Sequence, residues 1–359
     1  MNTAPFGRTR HSDRPSAMRR AILGGAALAT LTFSSRRVWA KETTFTIMTV
    51  GGSWGNAIRK IIAEPFAARH GLTLAFDNRP NAQQLAVLQA SRGNPTIDTI
   101  ELGGPRLGQA TAMGLIAKID PTIVKNHARV FPGLRNDYWA ARAIGPWALA
   151  YNTEVFKKEE VAEKGWDLML DPRAKGRVAV PNFGWLGETW LHSINQPMGG
   201  TYQNLDPAFT FARKVVKDNG GLIMISNDQG MKLFGTGEIV IAPFWSGRTL
   251  ELQRKGVPLG LAYPKGWSPY GFGFSVVDQG ANATLAQQFV DAALSDEAQL
   301  TFARQFSYVP TLQDLKVPDD MPDSKISPAL FDIAANLDYS EVAKYSDKNL
   351  ERWNMEVVS

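Results

Sequence analysis

Residues 45–71, FTIMTVGGSWGNAIRKIIAEPFAARHG, carry the pattern that decides the fold class. Phe45–Val50 is short and rich in apolar and β-branched side chains, which predicts a strand. Apolar residues then recur at steps of three and four positions, at Ile58, Ile61, Ile62 and Phe66. This spacing predicts a helix with one apolar face, and Gly71 stands where such a helix usually ends.

The same alternation continues along the chain. Further strands are predicted at Leu72–Phe76, Ile97–Leu102, Arg177–Pro181, Leu222–Ser226 and Glu238–Phe244. Helices are predicted around Leu85 and Leu88, after Gly103-Gly104-Pro105, and at Gly187–Asn195, Pro207–Lys217 and Gly247–Lys255. Strands that alternate with helices indicate an open α/β fold with a mostly parallel sheet.

The first forty residues have the pattern of an export signal. Arg19-Arg20 precede the apolar run Ala21–Phe33, which is too short to span a bilayer, and cleavage is predicted after Ala40. Residues 18–23 resemble a weak twin-arginine signal, and Arg36-Arg37 suits that route. Met18 could instead be the start of an ordinary secretory signal. Both alternatives place the protein in the periplasm.

Removal of this segment changes the charge of the protein. Residues 1–40 contain seven Arg and one Asp, so the net +5 of the whole chain becomes −1 for residues 41–359. The basic charge therefore gives no support for nucleic-acid binding. The chain has no cysteine, which excludes thiol chemistry and cysteine-ligated metals.

The remaining length suggests two lobes. A chain of this size exceeds what one core usually holds, and Ala143–Asn152 and Leu259–Phe274 look like extended crossings between lobes. We predict two Rossmann-like α/β lobes with a ligand cleft between them. Lobe 1 comprises residues 41–147 and 270–359 and lobe 2 residues 148–269. A helical tail from Ser327 is predicted within lobe 1, with one face formed by Leu330, Ile333, Ala334 and Leu337.

Four short motifs resemble those of a known family and occur in the same order. The most extensive is Gly165-Trp166-Asp167-Leu168 with Asp171–Pro181. Leu149–Asn152 precedes it, and Gly237–Gly247 and Tyr308–Thr311 follow it. Together they resemble the solute-binding proteins of bacterial ABC importers, in the branch that contains the spermidine/putrescine receptors. The resemblance covers roughly residues 45–355. It implies the type II periplasmic-binding-protein fold, closure on a ligand without catalysis, and an inner-membrane permease and ATPase as partners. It implies no cofactor, and we expect a monomer.

The predicted ligand is anionic or zwitterionic. Polyamine receptors have an acid after the Trp-Ser-Gly of the third motif, whereas this chain has Arg248 after Trp245-Ser246-Gly247. Those receptors have a second acid in a later tract. The tract of this chain that aligns with it begins at Tyr270 and contains no acid. A desolvated ammonium needs a carboxylate, and a guanidinium binds carboxylate or phosphate instead. A polyamine receptor is the alternative, and Arg248 could also simply pair with Glu251 on a helix surface.

The other candidate site residues follow strand ends. Gly52 and Ser53 follow the first strand, where free N–H groups attract an anion, and Ser53 can cap the helix. The resemblance places an aromatic residue of the cleft at Trp54. It also implies ligand contacts in the loop of Asn182 and Trp185.

Two other classes are weighed against a receptor. Gly51-Gly52-Ser53-Trp54-Gly55 fits the nucleophile motif of a serine hydrolase, but no histidine follows His192. A metal site has little support, since the histidines after residue 40 are scattered. An iron-binding protein of the same fold would need paired tyrosines, and those of this chain are isolated in the sequence.

Overall fold

The computed structural model describes residues 43–79 and 81–359. The predicted export signal, residues 1–40, lies outside the described residues. Within the described ranges, every helix is too short or too polar to cross a bilayer.

The strands are short, and most lie where the apolar runs predict them. They are β1 Thr44–Thr49, β2 Thr73–Asn78, β3 Thr99–Leu102, β4 Arg135–Asn136, β5 Trp139–Ala140, β6 Ala143–Asn152, β7 Ala179–Pro181, β8 Leu222–Met224, β9 Ile241–Trp245, β10 Leu259–Ala262 and β11 Ser268–Val276.

The helices follow most of the strands. They are α1 Gly52–Ile58, α2 Glu64–His70, α3 Asn81–Ala90, α4 Pro105–Ala112, α5 Lys158–Lys164, α6 Glu188–Asn195, α7 Asp206–Arg213, α8 Asn227–Gly235, α9 Ser246–Arg254, α10 Ala283–Ala293, α11 Asp296–Phe306, α12 Pro328–Asp332, α13 Tyr339–Ala343 and α14 Ser346–Trp353. A π-helical turn, Arg59–Ala63, joins α1 to α2.

The main sheet is mixed, so the prediction of a mostly parallel sheet is wrong. Its order is β10-β6-β11-β3-β1-β2, and β9 also pairs with β6. Strand β1 is parallel to β2 and β3, whereas β11 is antiparallel to β3 and β6. The chain leaves the first half along β6 and returns along β11, so the two crossing strands pair side by side in opposite directions.

Two hydrophobic cores lie on either side of these crossings. The first core takes its buried residues from 45–144 and 274–312, and the second from 147–270. Trp353 and Val357 of the tail also pack into the second core, whereas the sequence analysis assigns the tail to lobe 1. Residue-level boundaries of the two lobes stay a prediction.

Two predicted elements differ from the structure. The second crossing is divided into β10 and β11 by a turn, and the predicted helix from Ser327 ends at Asp332. The tail helix breaks because Asp338 accepts hydrogen bonds from the backbone N–H groups of Ser340 and Glu341, and so caps a new helix, α13. Residues 333–338 therefore form an irregular connection between α12 and α13, and the predicted continuous helix is absent there.

Candidate functional site

The loop after β1 carries three predicted site residues. Gly52 is exposed and has a φ of 69°, a left-handed conformation that favours glycine. Helix α1 begins at Gly52 with Gly51 as its N-cap and no side-chain cap. The predicted capping by Ser53 is therefore wrong, because its exposed side chain lies one position past the start of the helix.

Trp54 belongs to a buried polar network at the carboxyl ends of β1 and β3. Its Nε1 donates to Glu101 Oε2 at 2.7 Å, and Thr49 Oγ1 donates to the same oxygen at 2.8 Å. Arg142 Nη2 donates to Glu101 Oε1 at 2.6 Å, and its guanidinium lies 4.0 Å from the centre of the Phe302 ring. The network fixes the orientation of the Trp54 indole. Glu101 was not among the predicted site residues, although it is one of only two charged residues, with Asp98, in the run Ile97–Leu102.

Seven aromatic residues meet where the two cores come together. Trp245 is buried, with ring centroids at 4.9 Å from Trp147 and 5.5 Å from Tyr270. Phe272 packs against both cores and stacks on Tyr308 at 5.7 Å. We call the following residues the aromatic cluster: Trp54, Trp147, Trp185, Trp245, Tyr270, Phe272 and Tyr308.

Trp54 and Trp185 contact different rings of the aromatic cluster. The Trp54 ring lies 4.9 Å from Phe272, and the Trp185 ring lies 5.4 Å from Trp147 at nearly a right angle. Both are half-buried. Four of the predicted site residues, Trp54, Trp185, Trp245 and Tyr270, thus meet in space. Such a set of rings provides the apolar walls of a small-molecule site.

The second core contributes polar groups at the ends of its own strands. Strands β7 and β8 are parallel, so the loops that follow them leave the same edge of that sheet. Predicted Asn182 follows β7, is half-buried, and accepts a hydrogen bond from the Gly184 N–H at 3.0 Å. Its side chain thereby fixes the loop that carries Trp185.

Several buried polar atoms of the second core have no partner among the described residues. Two of them, Ser246 Oγ and Trp147 Nε1, lie in or next to the aromatic cluster. Ser246 directly follows Trp245 and is 2% exposed. Buried polar groups normally have a hydrogen-bond partner, so such atoms beside the aromatic cluster are suited to bind a polar ligand.

Arg106 adds positive charge that the sequence analysis missed. It is half-buried in the first turn of α4, directly after Gly104 and Pro105 at the end of β3. Burial raises the pKa of the Tyr270 phenol to about 12, and the charge of Arg106 opposes this rise. Arg106 therefore lies close to the aromatic cluster. Its position after a strand end, behind two glycines, is the signal that could have identified it.

Comparison with known proteins identifies the family. The pattern that defines the bacterial extracellular solute-binding proteins matches residues 62–330. The chain belongs to this family. The prediction that this protein is the solute-binding component of an ABC transporter is thereby confirmed. Its membership of the spermidine/putrescine branch stays a prediction.

Three relatives of this solute-binding protein illustrate the match. The gamma-aminobutyric acid-binding protein of Pseudomonas aeruginosa is 20% identical over 281 residues, which is 76% of this chain and 78% of that protein. An ABC transporter structure from Clostridium perfringens superimposes with a TM-score of 0.74 at 18% identity, over 87% of this chain and 99% of the other. MotA from Agrobacterium tumefaciens B6, in complex with glucopine, gives 0.71 at 20% identity, over 88% and 100%. The structural matches confirm the two-lobed α/β fold class.

Arg248 of this solute-binding protein forms an ion pair with Glu251, which the sequence analysis gave as the alternative to a contact with the ligand. Its Nη1 lies 2.8 Å from Glu251 Oε2, and its side chain is 33% exposed. The positive charge of Arg248 also lowers the pKa of the Tyr308 phenol against the larger effect of burial. Arg248 thus lies beside the aromatic cluster while bound to Glu251, and its contact with a ligand stays a prediction.

Glu188 is a buried carboxyl group at the start of α6. It accepts a hydrogen bond from Ser346 Oγ of α14 at 2.5 Å. Burial raises the pKa of Glu188 to about 7, opposed by this hydrogen bond and by the charge of Arg106. A carboxyl group in this state is a poor partner for an ammonium group.

Proposed function

We propose that this solute-binding protein captures a small organic anion or zwitterion in the aromatic cluster. The observation that carries the proposal is the balance of charge around the rings. Arg106 and Arg248 lie beside Tyr270 and Tyr308 respectively. The negative charge of Glu101 is already paired with Arg142.

Glu188 is not a substitute for the ionised carboxylates with which a polyamine receptor binds its ligand. Its raised pKa favours the neutral form of the carboxyl group. A desolvated diammonium ligand would require ionised carboxylates. An anion at the same place would find two guanidinium groups and the unpaired hydroxyl of Ser246.

The ligand names of two relatives support the same class. Gamma-aminobutyric acid carries one carboxylate and one ammonium group, and it gives its name to the relative from Pseudomonas aeruginosa. The related MotA structure contains glucopine. We infer a solute that presents a carboxylate to an arginine and an apolar part to the tryptophans.

The proposed mechanism is binding with closure and without catalysis. The cluster rings contact one another directly, so a ligand must part them, and the two lobes would open and close around it. The ligand stabilises the closed form because it contacts both lobes. We propose that the closed monomer then docks on an inner-membrane permease, whose ATPase drives release. We further propose export to the periplasm, by the twin-arginine or the general secretory route.

A thermal-shift screen of residues 41–359 tests the ligand class. The panel contains γ-aminobutyrate, other amino and carboxylic acids, opine-like conjugates, phosphosugars and polyamines. A ligand at a hundredfold excess over its Kd adds about 2.7 kcal/mol to the free energy of unfolding. A shift confined to acids and zwitterions supports the proposal, and a shift confined to polyamines contradicts it.

The hydrolase alternative has a separate test. Ser53 is exposed and makes no hydrogen bond to a histidine of the described residues. We expect no covalent labelling by a serine-reactive fluorophosphonate. Labelling that a Ser53→Ala variant abolishes would show an enzyme instead.

A further inference from the structure

A second cavity lies on the other face of crossing strand β11. Tyr270 and Phe272 point into the aromatic cluster. Pro269 and Gly271 line a separate cavity of about 740 Å³. Because alternate residues of a strand face opposite sides, Pro269 and Gly271 lie on the face of β11 that Tyr270 and Phe272 do not occupy. Its volume is within the range of small-molecule sites.

The walls of this cavity combine aromatic side chains with polar groups. Trp139 forms part of the floor, and its Nε1 is fixed by a hydrogen bond to the Leu102 carbonyl oxygen at 3.2 Å. Phe131 and Phe331 face each other, with ring centroids 5.9 Å apart. Phe131 is 39% exposed, so its ring is accessible to a ligand in the cavity.

The roof is the segment between the first and second cores. Residues 326–340 cross over the cavity, and most of them line it. The segment is held where α13 packs on α4, with the Tyr339 carbonyl oxygen against Gly108. Both residues line the cavity, so this contact forms part of its wall.

Arg135 is the unpaired cation of this cavity. It lines the wall, is half-buried, and forms no ion pair or side-chain hydrogen bond with the described residues. Its Nε is buried without a partner. The acids of the lining do not satisfy it, since Asp338 accepts backbone N–H groups of α13 and Asp332 is exposed. A guanidinium in such a wall favours a carboxylate ligand.

We propose that this cavity is a second binding site, for an amphipathic monocarboxylate such as an arylalkanoic or medium-chain acid. The carboxylate binds Arg135, and the apolar body packs against Trp139 and against the Phe131–Phe331 pair. The site is distinct from the proposed solute site in its cation, Arg135, although the two are neighbours, since Tyr339 of the cavity wall lies 6.4 Å from Tyr270 of the aromatic cluster.

Isothermal titration of the exported protein tests this site with 4-phenylbutanoate and octanoate. 4-Phenylbutanamide is the neutral matched ligand. We expect both acids to bind and the amide to bind at least about tenfold more weakly, because it lacks the charge that Arg135 pairs. No heat with either acid at millimolar concentration, or equal affinity for acid and amide, would overturn the proposal.

Variants locate the bound acid. Arg135→Gln is expected to weaken binding about tenfold or more, and Ala334→Phe is expected to narrow the cavity and weaken binding as well. Arg177→Gln is the matched control, since that arginine bonds only the Gly237 carbonyl oxygen far from the cavity. Melting curves establish that each variant is folded; if either is not, Arg135→Met replaces Arg135→Gln and Ala334→Leu replaces Ala334→Phe. Unchanged binding by both cavity variants overturns the proposal.

One further variant separates the two sites. Arg248→Ala removes a cation beside the aromatic cluster and is expected to leave binding of 4-phenylbutanoate unchanged. Loss of binding in this variant would place the acid in the aromatic cluster and overturn the second site. Failure of the second site leaves the thermal-shift test of the proposed solute site unaffected.

Discussion

At the scale of single residues, Arg248 and Lys255 share one partner. Both bind the carboxylate of Glu251, at 2.8 Å each, from positions three before and four after it. Only Arg248 also lies near Tyr308 of the aromatic cluster. Comparing variants of Arg248 and Lys255 therefore distinguishes the loss of a Glu251 ion pair from the loss of a ligand contact.

We expect Arg248→Ala to weaken an anionic ligand by about 1.5–3 kcal/mol, because a charge-assisted hydrogen bond is lost. Lys255→Ala loses the same surface partner and is expected to leave the Kd unchanged. Titration calorimetry with the ligand found by thermal shift measures both. Equal effects in the two variants would remove Arg248 from the site.

The Glu101–Arg142 ion pair is a second residue-scale feature with a measurable effect. Its side chains are 6% and 2% exposed. Glu101→Gln leaves the guanidinium of Arg142 buried without a counter-charge, so we expect the free energy of unfolding to fall by about 3–5 kcal/mol. The double variant Glu101→Gln/Arg142→Met removes the uncompensated charge and is expected to recover part of the loss in urea unfolding. A double variant less stable than the single one would contradict this.

Trp185 and Trp245 are expected to behave differently. Trp245 is 5% exposed and contacts both cores, so Trp245→Ala should lower the free energy of unfolding by about 3 kcal/mol or more as well as impair binding. Trp185 is half-buried, and Trp185→Ala should impair binding with a smaller loss of stability. Melting curves and ligand titration of both variants test this. Unimpaired binding by Trp185→Ala would exclude its ring from the site.

At the scale of elements, the contact of α6 with α14 is sensitive to pH. Glu188 begins α6 and binds Ser346, the first residue of α14. Its pKa rises from an ordinary value of 4.5 to about 7 because the carboxyl group is buried. The folded protein therefore binds this proton more tightly than the unfolded chain does.

The stabilisation from this group is fully present below about pH 4.5 and is lost as the pH rises through about 7. We expect a loss of about 3 kcal/mol over that interval. Glu188→Gln should remove this part of the pH dependence, whereas Glu163→Gln, on the exposed face of α5, should retain it. Urea unfolding at several pH values measures the difference. Parallel profiles for all three proteins would contradict the assignment.

At the scale of the whole molecule, the proposal requires motion between the cores. The chain has no cysteine, so introduced cysteines can be labelled without background. Asn56 is exposed on α1 and Asp228 is exposed on α8, one on each core. Energy transfer between dyes on Asn56→Cys/Asp228→Cys is expected to change when the ligand binds. A pair within the first core, Asn56→Cys/Arg69→Cys, should stay constant. No change in the first pair at saturation would contradict closure.

Local patterns predicted much of this architecture. The crossing Ala143–Asn152 coincides with β6, and the strand from Phe45 differs from β1 by one residue at each end. Period-two and period-3.6 patterns reflect which face of an element is buried, and this information is present in the sequence itself. The tail was misjudged because its apolar spacing suits a helix, while the cap at Asp338 starts a new one.

The sequence by itself determined the α/β fold class and the family, and it singled out Trp54, Trp185, Trp245 and Tyr270, which the structure brings together. Only the tertiary structure decided the mixed sheet, the Glu101–Arg142 network, the position of Arg106 and the cavity at Arg135. The reason is physical. Burial patterns and caps act within a few residues, whereas pairing direction, ion pairs and cavities depend on segments that are distant in the chain and meet only after folding.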